Sequence, residues 1–142
     1  MSQSSETSTG RRSEVSEVVE WWNEATAEQS LFYSSLDDFV REYICQVFRR
    51  NVGEEGRSEL RWSARWWESA EAVIRLEALW RSWEHHRLDG ATGMSVWLRD
   101  HADYHLGLLM SPTGPWARSK DTASSLQPLP YEPPPENLFA VE

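Results

Sequence analysis

Residues 69–87, SAEAVIRLEALWRSWEHHR, carry the clearest helical pattern in the sequence. Its apolar side chains are spaced three, four and three residues apart, which places them on one face of an α-helix. These residues are Val73, Leu76, Trp80 and Trp83. Ser69 is a residue type that caps helix N-termini, and Glu77 precedes Arg81 by four residues, the order that favours an ion pair along a helix. We therefore predict a helix over residues 70–87.

Helical spacing also recurs on both sides of this stretch. Residues 35–50 open with Ser35 and Asp38 in a capping pattern and then repeat apolar residues at helical intervals. Residues 57–68, RSELRWSARWWE, and residues 95–110 also indicate helices, whereas no segment shows the strict alternation of a half-buried strand. The sequence therefore predicts an all-α fold. It is a small bundle of about four helices, over residues 35–50, 57–68, 70–87 and 95–110.

The two ends of the chain differ from this centre in composition. Residues 1–30 form an acidic arm that we expect to be mostly disordered, because its first part has no apolar periodicity. Within the arm, residues 14–28 carry an apolar stripe that predicts a short helix. Residues 119–142 are rich in proline and predict a disordered tail. The helical, tryptophan-rich domain is therefore assigned to residues 31–118.

Length, charge and cysteine content exclude several classes of protein. The chain has 142 residues, the size of one ordinary domain, and no apolar run approaches the ~20 residues of a membrane-spanning helix. Its N-terminus lacks a secretory signal pattern, and its single cysteine, Cys45, cannot form an internal disulfide, so a cytoplasmic location is the default. The net charge of −9 disfavours general nucleic-acid binding. A DNA-associated regulator remains an alternative through the row Arg57, Arg61 and Arg65, although such a row is more often a solvated helix face.

Signatures of catalysis are absent from the sequence. It contains no phosphate-binding loop, no dinucleotide fingerprint and no serine-nucleophile elbow, so we expect no enzymatic activity and no cofactor. His101 and His105 would share one face of a continuous helix, with Asp103 between them, as pairs of metal ligands do. A metal-binding protein centred on these three residues is therefore a second alternative.

Tryptophan is unusually frequent, with nine in the chain. Large aromatic rings are an efficient way for a small domain to bury apolar area, and Trp80, Trp83 and Trp97 fit that role. Adjacent positions on a helix point about 100° apart, so Trp66 and Trp67 are hard to bury together. We expect one of them to line a groove for a protein partner. The other candidate partner-binding residues are Trp21 and Trp22 in the acidic arm and Leu138 and Phe139 in the tail.

A string of motifs across the centre of the chain resembles a known family. It includes RW at 61–62, WW at 66–67, RLEALWR at 75–81, MSVWLRDHAD at 94–103 and GPW at 114–116. These motifs resemble a family of small, uncharacterised actinobacterial proteins that carry a domain of unknown function, encoded on chromosomes, plasmids, integrative elements and phages. The resemblance covers residues 32–118 and implies no known activity, catalytic residue or cofactor. Trp116 stands where the family pattern leads us to expect Phe, and Tyr104 where we expect Pro.

These observations together predict a non-enzymatic helical module that binds a protein partner. The resemblance implies a role as an accessory protein of an actinobacterial mobile element. The identity of the partner does not follow from the sequence.

Overall fold

The computed structural model describes residues 30–53 and 58–139. The chain divides into two compact units, Met1–Phe32 and Tyr33–Glu142, and the description below concerns the second. The predicted acidic arm, with its helix at 14–28, lies outside the described residues apart from its last residue.

Three helices are present in the described part of the second unit, and two of them contain a π-helical turn. Helix α1 is α-helical at Leu36–Phe39, π-helical at Val40–Ile44 and α-helical again at Cys45–Val47. Helix α2 is the α-helix Ala70–His86. Helix α3 is α-helical at Gly93–Trp97, π-helical at Leu98–Ala102 and α-helical at Asp103–Leu109. The described residues form no strand, and one isolated antiparallel bridge joins Val52 and Ala123.

These helices confirm three of the four predicted ones. They correspond to the predictions over residues 35–50, 70–87 and 95–110. The predicted capping residues act as expected: Ser35 accepts a hydrogen bond from the Asp38 N–H at 3.1 Å, and Ser69 accepts one from the Ala72 N–H at 3.2 Å. Helix α2 packs against both α1 and α3. The segment with the clearest helical pattern in the sequence, residues 69–87, therefore forms the centre of the domain.

The predicted helix over residues 57–68 is wrong. Only Trp66–Glu68 form a single 3-10 turn, and the other described residues of this stretch form no helix. The Ala64 N–H donates to the Asp121 carboxylate at 2.7 Å, and the Ala64 carbonyl accepts from the Glu132 N–H at 3.0 Å. Main-chain groups that a helix would pair internally are therefore paired with the C-terminal part of the chain.

Residues 119–139, called the C-terminal strap from here on, form no helix, yet they pack along the helical body. Leu129 is only 2% exposed, and its N–H donates to the Cys45 carbonyl at 3.0 Å. The Tyr131 hydroxyl donates to the Asp37 carboxylate of α1. The prediction of a disordered tail is therefore corrected for these residues. Burial of a leucine and pairing of main-chain groups with the body offset the entropy lost on ordering the strap.

The core of the domain is aromatic. Six of the seven tryptophans in the described residues are buried, which confirms the core role predicted for Trp80, Trp83 and Trp97. The rings of all three helices meet at Tyr43 of α1, whose centroid lies 5.0 Å from that of Trp83 and 5.9 Å from that of Trp97. Contacts of this kind add to the stabilisation that comes from buried area alone.

One charged side chain, Glu84 of α2, lies inside this core and is 1% exposed. Its carboxylate accepts hydrogen bonds from the Tyr33 N–H and the Trp80 indole, each at 3.0 Å, and from the Arg87 guanidinium at 2.8 Å. A buried carboxylate is tolerated only when it is paired in this way. Glu84 therefore fixes the chain just before α1 against α2.

Candidate protein-interaction site

Four of the six residues predicted to bind a partner are described by the structure, and they lie in two chain segments that meet. They are Trp66, Trp67, Leu138 and Phe139, whereas Trp21 and Trp22 lie outside the described residues. Trp66 and Trp67 belong to the 3-10 turn, and Leu138 and Phe139 lie at the end of the strap. The ring of Phe139 stacks on the indole of Trp66, with centroids 5.7 Å apart and planes inclined by 7°. We call these four residues the aromatic face.

The members of the aromatic face differ in exposure. Trp66 is completely buried, at 0% exposure, so it supports the face and does not itself meet the solvent. Trp67 is half-buried, while Leu138 and Phe139 are 47% and 40% exposed. The part of the face that a partner can reach therefore consists of Trp67, Leu138 and Phe139.

Charged side chains lie at the edge of the aromatic face. The Arg65 guanidinium donates to the Glu132 carboxylate at 2.7 Å and lies 3.7 Å from the Glu68 carboxylate. The hydrogen bond to Glu132 raises the pKa of Arg65 above its ordinary range. The Trp67 indole donates to the Glu132 main-chain carbonyl at 3.1 Å, which fixes the orientation of its ring. Because all three charged side chains are exposed, their ion pairs contribute little to stability but define a polar rim.

A cleft of about 270 Å³ adjoins this rim. Arg65 and Glu68 line one part of it, and Pro115, Trp116 and Arg118 line another. Arg65 is paired with two carboxylates, those of Glu68 and Glu132, whereas Arg118 has no ion pair among the described residues. The two arginines and the two carboxylates balance, so the cleft is a polar border of the aromatic face with little net charge.

The sequence did not reveal how the strap is held. The Trp62 indole donates to the Pro130 carbonyl at 2.8 Å, as the Trp67 indole does to the carbonyl of Glu132. The sequence contains one indication of this contact, because Leu129 and Tyr131 alternate with the prolines of residues 128–133. We call the surface of the body that receives residues 128–135 the strap groove.

The predicted metal site is not assembled. The Nδ1 atom of His105 accepts from the Arg75 guanidinium at 3.1 Å, and burial, together with that cation and His101, lowers the pKa of His105. The ring of His101 instead lies next to His86, with centroids 5.2 Å apart. Across the described ranges, no group of three or more His, Cys, Asp or Glu side chains is placed to hold a metal ion. The metal-binding alternative built on His101, Asp103 and His105 therefore has no support in this structure.

The two described members of the predicted arginine row, Arg61 and Arg65, do not share a helical face either. Arg57 lies outside the described residues, and Arg61 and Arg65 belong to a stretch that is not helical. Arg61 donates to the Ser58 carbonyl at 3.0 Å, while Arg65 pairs with Glu132. Arg61 and Arg65 therefore do not offer duplex DNA a shared helical surface.

Cys45 lies in the core and is 1% exposed. Burial, with a smaller contribution from the charge of Asp37, raises the pKa of its thiol to about 12. A thiol with that pKa is protonated near neutral pH and is not nucleophilic. Cys45 therefore packs as a small apolar side chain.

The three helices, the strap and the aromatic face together define a small, tryptophan-rich helical domain. Residues 33–135 match the family described as Domain of unknown function (DUF4913), and the chain belongs to this family. This confirms the resemblance to a domain-of-unknown-function family, and the matched range extends through most of the strap. No curated protein and no solved structure matches the chain. None of the helices in the described residues is both long enough and apolar enough to cross a membrane.

Proposed function

We propose that this protein is a non-enzymatic protein-interaction module and that the aromatic face is its binding surface. The observation that carries the proposal is the stacking of Phe139 on the buried ring of Trp66 while 40% of Phe139 remains exposed. An exposed aromatic ring that is already held in place loses little conformational freedom when a partner covers it. Aromatic residues in such positions are the usual anchors of protein interfaces.

The composition of the aromatic face supports a protein as its ligand. Trp67 lies beside the charged pair Arg65 and Glu132, and Leu138 and Phe139 add exposed apolar surface next to the neighbouring Trp66. Protein interfaces commonly combine an apolar centre with a polar rim. The buried thiol of Cys45 and the pairing of His105 with Arg75 support a role without catalysis at these groups.

We extend the proposal to the cellular setting of the module. A cytoplasmic location is supported by the single cysteine of the chain, which is buried as a free thiol. A role as an accessory protein of an actinobacterial mobile element is supported by the motif resemblance that includes residues 75–81 and 94–103.

Affinity purification from the host tests this proposal when matched variants are compared by quantitative mass spectrometry. The variant Leu138→Ser with Phe139→Ser removes the exposed apolar atoms of the aromatic face. Leu126→Ser is the control, because Leu126 lies on the same strap and is 84% exposed. We expect one protein to be retained by the unmodified chain and by Leu126→Ser but lost from the double variant. Equal retention by the double variant would show that the aromatic face is not the binding surface.

A further inference from the structure

The strap is held by main-chain hydrogen bonds in which both its carbonyl groups and its N–H groups take part. The indoles of Trp62 and Trp67 donate to the carbonyls of Pro130 and Glu132, at 2.8 and 3.1 Å. The Glu132 N–H completes the arrangement by donating to the Ala64 carbonyl at 3.0 Å. The groups of the body that bind the strap in this way are the indoles of Trp62 and Trp67 and the carbonyl of Ala64.

This mode of contact suits a proline-rich segment. Residues 128–135 read PLPYEPPP, and five of these eight residues are prolines, which have no N–H to donate. Its carbonyl oxygens are suited to the indole N–H donors of the body, and the N–H groups that it does have at Leu129 and Glu132 donate to the carbonyls of Cys45 and Ala64. Proline also restricts the segment before it binds, so that little conformational entropy is lost.

Three side chains of the segment add selectivity. Leu129 is buried against the body, and the hydroxyl of Tyr131 reaches the Asp37 carboxylate. The Glu132 carboxylate pairs with the Arg65 guanidinium at 2.7 Å, so the charges of groove and segment are complementary. The groove therefore reads the pattern Leu-Pro-Tyr-Glu followed by proline.

We propose that the strap groove is a binding site for a proline-rich segment of this pattern presented by a partner protein. The chain's own residues 128–135 occupy the site until such a segment displaces them. This inference goes beyond the proposed function, because the site it names contains neither Leu138 nor Phe139 and its test uses neither residue. A segment on the same chain competes at an effective concentration on the order of millimolar, so displacement is favoured when the strap is weakened or the partner presents several segments.

The test uses the full chain and a fluorescein-labelled synthetic peptide of residues 128–135. The chain variant Tyr131→Phe with Glu132→Gln weakens the strap without altering any residue of the body. We expect this variant to bind the peptide at least tenfold more tightly than the unmodified chain does, as measured by fluorescence anisotropy. Glu136→Gln is the matched control, because it changes an exposed acidic residue of the strap beyond the bound segment. This control should bind the peptide as the unmodified chain does.

A second peptide, carrying the same two substitutions, tests whether the groove reads side chains. We expect at least tenfold weaker binding of this peptide to the strap-weakened chain. Equal binding of the two peptides, or no binding to a variant whose circular dichroism is unchanged, would overturn the proposal.

The unmodified chain provides a measurement that does not depend on any variant folding. Its main-chain and indole N–H resonances are followed by NMR while the unlabelled peptide is added to about 1 mM, near the expected effective concentration of the strap. We expect the main-chain N–H signals of Leu129 and Glu132, which donate to the body, to shift as the strap is released. The indole signal of Trp97, which donates to the Leu79 carbonyl inside the core, should stay constant. Constant positions for all three signals would contradict displacement of the strap.

Discussion

The indole N–H of Trp62 donates to the carbonyl oxygen of Pro130 at 2.8 Å, across 68 residues of sequence. Trp62 is completely buried, so this bond ties the strap to the interior of the domain and not to a surface side chain. The folded unit therefore includes a proline-rich segment that has no helical structure of its own. The stability of this folded unit and the cooperativity of its unfolding therefore depend on the strap.

Replacement of Trp62 by Phe tests the contribution of this hydrogen bond to stability. The change removes the donor to Pro130 and should lower the free energy of unfolding. Trp116→Phe is the matched control, because Trp116 is also buried but its indole N–H has no partner among the described residues. Both changes leave a similar void, so Trp62→Phe should cost more by about 1 kcal/mol, the net value of one hydrogen bond. Equal losses for the two variants in urea unfolding would contradict the role of this bond.

The close approach of the strap to Gly53 predicts a second way in which the stability of the domain depends on the strap. Its φ angle is +86°, and a Cβ added there would lie 2.6 Å from the Asp121 carbonyl and 2.7 Å from Cγ2 of Thr122. Gly53→Ala should therefore cost about 1–3 kcal/mol of unfolding free energy. Gly107→Ala in α3 is the control, because an added Cβ there meets nothing within 4 Å. That control should gain roughly 0.5–1 kcal/mol from helix propensity. Unchanged or increased stability of Gly53→Ala in urea unfolding would refute the close approach of the strap.

The single thiol provides a direct probe of folding. Cys45 is buried, and its pKa is raised to about 12, so alkylation by iodoacetamide near pH 8 should be at least tenfold slower in the native protein than in 6 M guanidinium. Because no other cysteine is present, the rate measured by mass spectrometry reports this site alone. Rapid labelling of the native chain would show that α1 and the strap do not cover Cys45.

Stability should fall as the pH is lowered through the range in which histidine titrates. Burial, and then the Arg75 and His101 charges, lower the pKa of His105 below its ordinary value of 6.5. The unfolded chain therefore binds a proton at this ring first, and the unfolding free energy decreases as the pH falls from about 7 through 6.5 to the lower pKa of the folded state.

The variant His105→Gln isolates this contribution. Its amide oxygen can still accept the Arg75 hydrogen bond, but the residue does not titrate. Urea unfolding at several values between about pH 7 and 5 should show a smaller slope than in the unmodified chain. An unchanged slope would mean that His105 is not buried as the structure places it.

The sequence was sufficient for α1, α2 and α3 because each carries its own apolar residues at helical spacing, and α1 and α2 also carry the capping residues Ser35 and Ser69. It was not sufficient for residues 57–68, where the tryptophans have near-helical spacing but the main chain pairs with Asp121 and Glu132. Local propensity cannot reveal a partner more than 50 residues away. The strap was misjudged for the same reason, since proline content indicates that a segment will not form a helix but not whether it will pack.

Within the helices, the π-helical turns limited how accurately the sequence predicted which residues face the core. In α1 the turn at Val40–Ile44 accommodates an extra residue, which rotates the residues after it around the axis. Val47 is one of the apolar residues at helical intervals in the segment 35–50, yet it is 52% exposed. The π-helical turn of α3 at Leu98–Ala102 includes His101, whose ring lies next to that of His86. Of the candidate site, the sequence identified the aromatic residues but not the contact of Phe139 with Trp66.

The central claim, that the aromatic face binds a protein partner, is tested most directly by the affinity of Phe139→Ala for the partner captured with the intact chain. Isothermal titration calorimetry with Leu126→Ala as the control separates this site from exposed apolar residues in general. Our account predicts at least a tenfold loss of affinity for Phe139→Ala, as expected for an anchoring aromatic residue, and less than a twofold change for Leu126→Ala. Unchanged affinity of the Phe139→Ala variant would contradict the account.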